Sequence, residues 1–360
     1  MNSQSNNFPL VSIVAICYDH AKYLVETLDS IRGQTYPNIQ LIIMNDYSTD
    51  NSVEIIKAWI EKTRYPCVFI NHTENKGLCK TINEALSLCT GVYYQAIACD
   101  DILLKDKISK QVAILEKDTS AALVCSNYQE IDEQGNIIKN EYFSSEYKFP
   151  DEPTKAILSG HNGYGVIVHS PTVLLRLNVF EEVGNYREDI IQEDLDMWLK
   201  ISVKYKIEYL SDVTVKYRMH PLSLSKNKTT KNRLYIDRLR VGKTFYLNHS
   251  EFNKEIDEHQ LRYLIFFKDL ALKGLYANEE AITLFFDYSS ESLKNNDQFR
   301  YNVEELFFNL LLNNKKESLF LLNKFHYNIK RMKYKPFFMA YMPSSIPNYL
   351  LKIKRFINTI

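Results

Sequence analysis

The chain has 360 residues, 45% of them apolar, and its 44 Lys and Arg residues balance 44 Asp and Glu residues to a formal net charge of zero. This length exceeds what one small core needs, so we expect two domains, or one domain with a large helical annex. General nucleic-acid binders are usually basic, so the balanced charge speaks against a nucleic-acid partner.

The first half of the chain alternates buried strands with helices. Four apolar runs have the length of buried strands: Leu10–Cys17, Ile39–Met44, Cys67–Asn71 and Tyr93–Ala98. One helix is predicted after Asp19, which can cap it, and a second follows the capping segment Ser48–Ser52 and continues to about Glu61. Two more helices are predicted over Gly77–Cys89 and Lys107–Lys117, and a further strand over Ala121–Asn127. This order predicts an α/β fold with a mostly parallel sheet that helices cover on both faces.

The pattern is looser in the second half. We predict a tight turn at Asp132, a polar loop over His161–Gly165, a helix over Glu193–Val203 and a strand over Val213–Met219. Beyond about Ser225 the spacing of aromatic and Leu residues becomes helical. We therefore expect an α/β domain over residues 1–225 and a mainly helical region over residues 226–360.

Polar clusters follow three of the predicted strands. They are Cys17–Asp19, Asn45–Asp50 and Cys99–Asp101. In open α/β sheets, ligands bind outside the carboxyl ends of the strands. We therefore expect these three clusters to meet at one edge and to form the ligand site.

Acidic residues at this edge suit a metal and a nucleotide. Asp100 and Asp101 follow a buried strand and suit a hard divalent cation bridging them to a diphosphate, although a helix cap beside a solvated acid is an equal alternative. Asp46 is placed to accept hydrogen bonds from a base or ribose, or to form a turn. Tyr18 either stacks on a base or is a core aromatic.

Two further positions have chemical potential. Glu193 and Asp194 suit a general base, although acids are also common in the first turn of a helix. His220 follows a strand and suits contact with phosphate or metal, although a lone histidine is more often structural.

Several other classes of protein lack support. No G-x-G-x-x-G follows the first strand, and no H-E-x-x-H or C-x-x-C occurs, so a Rossmann dehydrogenase and a zinc hydrolase are disfavoured. The six cysteines have apolar neighbours, as expected of free thiols in a reducing compartment. Residues Met1–Asn7 lack a signal-peptide pattern and no apolar run reaches about 18 residues, so we expect a cytosolic protein.

The order of these motifs resembles family 2 glycosyltransferases over residues 9–225. The opening segment Val11–Ser52 is similar to the family's strand, T-Y-N, helix, Q-T-Y, second strand and D-D-G-S-T-D. Further matches follow in order: Asn75-Lys-Gly-Leu with Asn83, Asp100-Asp101, Val183-Gly184-Asn-Tyr, Glu193-Asp194 with Trp198, and Tyr217-Arg-Met-His220.

This resemblance implies a GT-A fold and inverting sugar transfer from a nucleotide-sugar donor, with Mg²⁺ or Mn²⁺, to a glycan or lipid-linked acceptor in bacterial surface polysaccharide synthesis. By position, it implies that Asp194 deprotonates the acceptor with support from Glu193, and that Asp100 binds the metal. His220 would lie near the metal and diphosphate. The nucleotide contacts would come from Tyr18, Asp46, Asp101 and Ile16.

The chain departs from the family pattern at four positions. Ala98 replaces the first Asp of D-x-D, Asp19 replaces an Asn, Asn45 replaces the first Asp of the D-D pair, and Tyr47 replaces a turn Gly. Because Ala98 removes an expected ribose contact, a catalytically inactive binding or scaffold protein is the alternative.

The last part of the chain is basic and apolar. Tyr349–Ile360 (YLLKIKRFINTI) suits a basic amphipathic helix on an anionic membrane, or a solvated face packed on the domain. Contact with the inner face of the membrane would suit a lipid-linked acceptor.

Overall fold

The computed structural model describes residues 8–159, 167–221 and 223, and, between 234 and 252, all but 235, 236, 239, 243 and 246. The described elements are β1 (Val11–Cys17), α1 (Leu24–Arg32), β2 (Ile39–Asn45), α2 (Ser52–Thr63), β3 (Cys67–Asn71), α3 (Leu78–Leu86), β4 (Tyr93–Ala98), β5 (Ile102–Leu103), α4 (Lys107–Lys117), β6 (Ala121–Ile131), β7 (Ile137–Lys139), α5 (Pro153–Ser159), β8 (Leu174–Arg176), α6 (Val179–Val183), α7 (Glu193–Lys204) and β9 (Lys206–Arg218).

The strands form one mixed sheet in the order β3-β2-β1-β4-β8-β6-β9-β5, with β7 paired to the side of β6. Strands β1 to β4 are parallel, as their alternation with helices predicts. The sheet as a whole is less parallel than we expected, because the three-residue strand β8 lies antiparallel between β4 and β6. An antiparallel strand needs no crossover helix, so the alternation of strands and helices in the sequence does not predict β8.

Helices cover both faces of this sheet, which confirms the α/β fold class. In β1, Val11, Ile13 and Ala15 face one core together with side chains of α1, α2 and α4. Val14 and Ile16 face a second core with side chains of α3 and α7. All seven residues of β1 are buried, as a continuous apolar run requires of a central strand.

The start of α1 differs from the prediction. The helix begins at Leu24, and Tyr23 rather than Asp19 precedes it without any side-chain cap. The prediction of an Asp19 cap is therefore wrong. The Asp19 carboxylate instead reaches across to the β2–α2 loop, where it accepts a hydrogen bond from Thr49 N at 2.6 Å.

Strands β6 and β9 are longer than we predicted and pair in parallel along most of their length. Polar residues in their interiors conceal this from a search for apolar runs. Ser126 and Thr214, both 2% exposed, satisfy each other through a hydroxyl–hydroxyl hydrogen bond of 2.5 Å. Such pairing makes buried polar strand residues tolerable.

Part of the predicted organisation lies outside the described residues. These are the loop His161–Gly165, the basic segment Tyr349–Ile360 and most of the helical region over residues 226–360. Within the part of the chain that the structure describes, none of the helices has both the length and the apolar character needed to cross a membrane.

Candidate functional site

Four strands end at the edge where a ligand site was expected. Strands β1, β2 and β4 are parallel neighbours, with Cys17 opposite Asn45 and Ile16 opposite Ala98. Strand β9 runs parallel to β6, and β8 is antiparallel to both β6 and β4, so β9 ends on the same side. The segments after β1, β2, β4 and β9 therefore converge at one edge of the sheet.

The loops after β1 and β2 hold each other in place. Asp19 N donates to Ser48 Oγ at 2.9 Å, and Ala21 N donates to Asp50 Oδ2 at 2.9 Å. Asp19 and Tyr47 have positive φ angles of 55° and 64°, which is unusual for residues other than glycine. Backbone strain of this kind is often retained at functional sites.

Tyr18 lies exposed at this edge rather than in the core. Its exposed fraction is 46%, and that of Tyr47 is 49%. Ile16, by contrast, is only 7% exposed and packs in the core beneath the edge. The structure thus presents two phenol rings, one after β1 and one after β2, where a flat ligand can stack.

Asp46 connects the β2 end to the start of α3. Its Oδ1 accepts hydrogen bonds from Lys76 N at 2.8 Å and lies 2.9 Å from His72 Nδ1, and its Oδ2 accepts from Gly77 N at 2.9 Å. A carboxylate offers about four acceptor positions. Asp46, which is 3% exposed, therefore retains about one position for a ligand.

Asp100 lies between two histidines. His220 Nε2 is 2.9 Å from Asp100 Oδ2, and His20 Nε2 is 3.8 Å from the same oxygen. The second oxygen, Asp100 Oδ1, is buried without a hydrogen-bond partner among the described residues. The alternative of a helix cap beside a solvated acid does not hold among the described residues, because Asp106 precedes α4 and Asp100 and Asp101 are only 8% and 2% exposed.

Arg218 locks the Asp100–Asp101 turn onto the end of β9. Its Nε donates to Asp100 O at 2.8 Å, and its backbone N donates to Asp101 Oδ1 at 2.9 Å. Its Nη2 binds Glu26 Oε2 at 2.5 Å, and its guanidinium lies over the Tyr23 ring, 4.6 Å from the centroid. The Asp101 carboxyl thus faces the protein interior and is 2% exposed.

These surroundings shift the pKa values of the two neighbouring acids in opposite directions. Burial works to raise the pKa of Asp100, but the hydrogen bond from His220 and the proximity of His20 outweigh it and lower that pKa below its usual value. Burial and the Asp100 charge raise the pKa of Asp101 well above its usual value. Asp100 is therefore the ionised member of the pair.

Glu193 and Asp194 occupy the first turn of α7 and are partly buried. Burial, followed by the charge of Asp194, raises the pKa of Glu193 to about 8. Burial also raises the pKa of Asp194, against the opposing charge of Arg238. Within the described residues, no hydrogen bond joins this pair to Asp100 or His220.

The segment before α7 is braced from two sides. Asp237 Oδ2 accepts from Ile191 N at 2.6 Å, and Arg238 Nε donates to Gln192 Oε1 at 3.0 Å. From α3, Asn83 Nδ2 donates to Tyr186 O at 2.9 Å. The two acids of α7 therefore start from a fixed turn.

Three residues that hold or adjoin the candidate site were not predicted from the sequence: His20, Arg218 and Asp237. His20 and Arg218 do carry a positional signal, because each lies at or just after the carboxyl end of a strand that reaches this edge. Asp237 carries none, since its role depends on a contact with Ile191 across 46 positions of the chain.

Comparisons with known proteins agree with this architecture. Residues 12–183 match the sequence model described as Glycosyl transferase family 2. The chain is 31% identical over 231 residues to an uncharacterized glycosyltransferase of Methanocaldococcus jannaschii, a match that covers 63% of this chain and 77% of that protein. It is 28% identical over 264 residues to the hyaluronan synthase of Pasteurella multocida, covering 71% of this chain and 26% of the synthase.

Some relatives are much longer than the matched region, which spans 36% of the length of two rickettsial glycosyltransferases. Among solved structures, residues 1–349 of S. aureus TarS in complex with UDP-GlcNAc have a similar fold, with a TM-score of 0.57 and 15% identity over 79% of this chain and 81% of that one. This likeness confirms the predicted GT-A-type fold.

Proposed function

The chain belongs to glycosyltransferase family 2, and from this premise we propose that it transfers a sugar, with inversion, from a nucleoside diphosphate donor to a hydroxyl of a glycan or lipid-linked acceptor. A UDP-sugar is the favoured donor. The structurally similar TarS in complex with UDP-GlcNAc and the relative named hyaluronan synthase support this choice of donor and a glycan acceptor.

The buried Asp100 carboxylate, with His220 Nε2 at 2.9 Å from its Oδ2, is the observation that carries this proposal. Asp100 Oδ1 is a buried anionic oxygen to which none of the described residues donates, which is costly unless a cation occupies the site. Imidazole nitrogen and carboxylate oxygen are both ordinary metal ligands. Asp100 and His220 therefore fit the Mg²⁺ or Mn²⁺ that such donors carry, and when bound the metal would neutralise the charge that develops on the leaving diphosphate.

The remaining residues of the edge bind and orient the donor. We propose that Tyr18 stacks on the nucleotide base, and that Asp46 accepts one base N–H with the acceptor position its other donors leave free. Ile16 forms the floor beneath Tyr18. Asp101 acts through the fold, because its bond to Arg218 N keeps Asp100 directed at the ligand edge.

The acceptor side of the reaction falls to α7. We propose that Asp194 takes the proton of the acceptor hydroxyl while the acceptor oxygen attacks the anomeric carbon, and the bond from that carbon to the diphosphate oxygen breaks. The raised pKa of Asp194 makes it a stronger base than an exposed aspartate. Glu193, whose pKa is about 8, keeps its proton near neutral pH and so lets Asp194 ionise without a second adjacent charge.

Release of the nucleoside diphosphate tests this function without a known acceptor, since such sites transfer sugar slowly to water. We expect Mn²⁺-dependent release of UDP from a UDP-sugar by the wild type, and loss of that release in Asp100→Asn. Asp212→Asn, which removes an exposed acid paired with Lys110, is the matched control and retains the wild-type rate.

The outcomes separate the two candidate functions. Loss of UDP release in Asp100→Asn, with the control unaffected, supports a working transferase. If the folded wild type releases no nucleotide from UDP-, dTDP- or GDP-sugars with any divalent metal, the inactive scaffold becomes the better description.

A further inference from the structure

A third potential metal ligand lies beside the two that were expected. His20 follows β1, and its imidazole ring lies edge-on to that of His220 with 6.3 Å between the ring centroids. One ligand atom from each of His20, Asp100 and His220 can be chosen so that all three lie within 4.8 Å of one another. The sequence separates these residues widely, and the ends of β1, β4 and β9 bring them together.

The spacing of the three ligand atoms suits a single ion. Metal–ligand bonds of about 2.1 Å place adjacent ligands about 3 Å apart and opposite ligands about 4.2 Å apart. The distances of 2.9 Å from Asp100 Oδ2 to His220 Nε2 and 3.8 Å to His20 Nε2 fall within this range. The ligand atoms of the third pair, His20 and His220, lie within 4.8 Å of each other, close to the spacing of opposite ligands.

Unsatisfied atoms at the cluster also point to a ligand. Asp100 Oδ1 and His20 Nδ1 are both buried without a hydrogen-bond partner among the described residues. Nor does the nearby Arg218 neutralise the carboxylate, because its side chain binds the Asp100 backbone oxygen and pairs with Glu26. The cluster thus has a negative charge and two imidazoles, and within the part of the chain that the structure describes no Lys or Arg side chain lies on the carboxylate.

We propose that His20, Asp100 and His220 form a three-ligand centre that selects a first-row transition ion such as Mn²⁺ over Mg²⁺. The inference rests on the proposed function and extends it, because it names His20 as a ligand and assigns the class of metal. Two imidazoles and one carboxylate favour ions that accept nitrogen ligands, whereas Mg²⁺ prefers oxygen ligands and keeps its waters. Three protein ligands leave about three octahedral positions open for diphosphate oxygens and water.

The test uses the metal alone, so that it does not depend on turnover. Mn²⁺ is titrated into the full chain, and the free ion is followed by electron paramagnetic resonance. Pulsed measurements on the bound ion count its nitrogen ligands. We expect one Mn²⁺ per chain with two coupled imidazole nitrogens, and retention of Mn²⁺ in about a hundredfold excess of Mg²⁺.

Variants assign the ligands. His20→Ala should weaken Mn²⁺ binding at least tenfold and leave one coupled nitrogen. His20→Asp should restore binding with one coupled nitrogen and a smaller preference for Mn²⁺ over Mg²⁺. His249→Ala, at a histidine that packs on Phe245, is the control and should behave as the wild type.

The proposal is overturned if folded His20→Ala binds Mn²⁺ as the wild type does, if the wild type shows fewer than two coupled nitrogens, or if Mg²⁺ displaces Mn²⁺ at equal concentration. Failure of the proposed function looks different. In that case the wild type binds Mn²⁺ through two imidazoles but releases no nucleotide from any sugar donor.

Discussion

Replacement of Arg218 by methionine perturbs the contact that fixes the Asp100–Asp101 turn. Arg218 is 1% exposed, and its side chain donates to Asp100 O, Asp132 O and Glu26 Oε2. Methionine matches much of the length and apolar character of the arginine stem, so the variant removes the charge and the donors without leaving a large cavity.

The expected loss of stability follows from these contacts. The bond from the charged Nε to Asp100 O is worth about 1.5–3 kcal/mol, because that acceptor is left without a donor. Asp132 O keeps a second donor, Gly135 N at 3.1 Å, so loss of the Arg218 hydrogen bond to this oxygen costs about 1 kcal/mol or less. Glu26 is exposed and contributes about 0–1 kcal/mol. Removal of the buried charge offsets part of this sum, and we expect a net loss of about 2 kcal/mol.

Urea unfolding of the wild type and Arg218→Met measures this loss. Lys22→Met is the matched control, because Lys22 forms an exposed ion pair with Glu133 at 2.8 Å and should change stability by less than about 0.5 kcal/mol. Arg218→Lys keeps the charge but not the planar fork and should fall between the two. A loss below about 1 kcal/mol in Arg218→Met would refute the assignment of Arg218 as the brace of this turn.

Three further predictions concern other parts of the chain. Asp194→Asn should lower sugar transfer by about 10²–10⁴-fold without changing the affinity for the nucleotide. The control Asp189→Asn, at an exposed acid in the turn before α7, should leave both the transfer rate and the nucleotide affinity unchanged. The pKa of Glu193 rises from 4.5 to about 8 on folding, so the folded state binds more protons in this window and loses stability as the pH rises through it. Glu193→Gln should remove this loss, and parallel wild-type and variant unfolding curves at pH 5.5 and 8.5 would contradict the assignment. Gly91→Ala should destabilise the fold by about 1–3 kcal/mol in urea unfolding, because the added Cβ would lie 2.7 Å from Leu10 O. An unchanged midpoint would contradict this close approach of Gly91 to Leu10.

Apolar runs predict the centre of the fold well, because its strands are buried on both faces. The predicted bounds of β3, β4 and α4 match the structure at both ends. The antiparallel strand β8 was missed, since three residues carry too little pattern to identify a strand. The lengths of β6 and β9 were underestimated because their buried polar residues satisfy one another only once the two strands have paired.

The sequence likewise predicts some features of the candidate site and not others. The position of a residue after a strand predicts that Asp100 and Asp46 reach the ligand edge, and that prediction needs only the topology of the sheet. It does not predict that Asp46 is largely occupied by donors from the start of α3, or that His20 lies beside Asp100. Those facts depend on loop conformations, including the positive φ of Asp19, that no local pattern specifies.

Calorimetric binding of nucleotides tests whether Asp100 forms part of a metal-dependent donor site. UDP, dTDP and GDP are titrated, with and without Mn²⁺, into the wild type and into Asp100→Asn. We predict metal-dependent binding of one nucleotide, with UDP favoured, that is lost in Asp100→Asn. Absence of binding of all three nucleotides to the folded wild type in the presence of Mn²⁺ would contradict it.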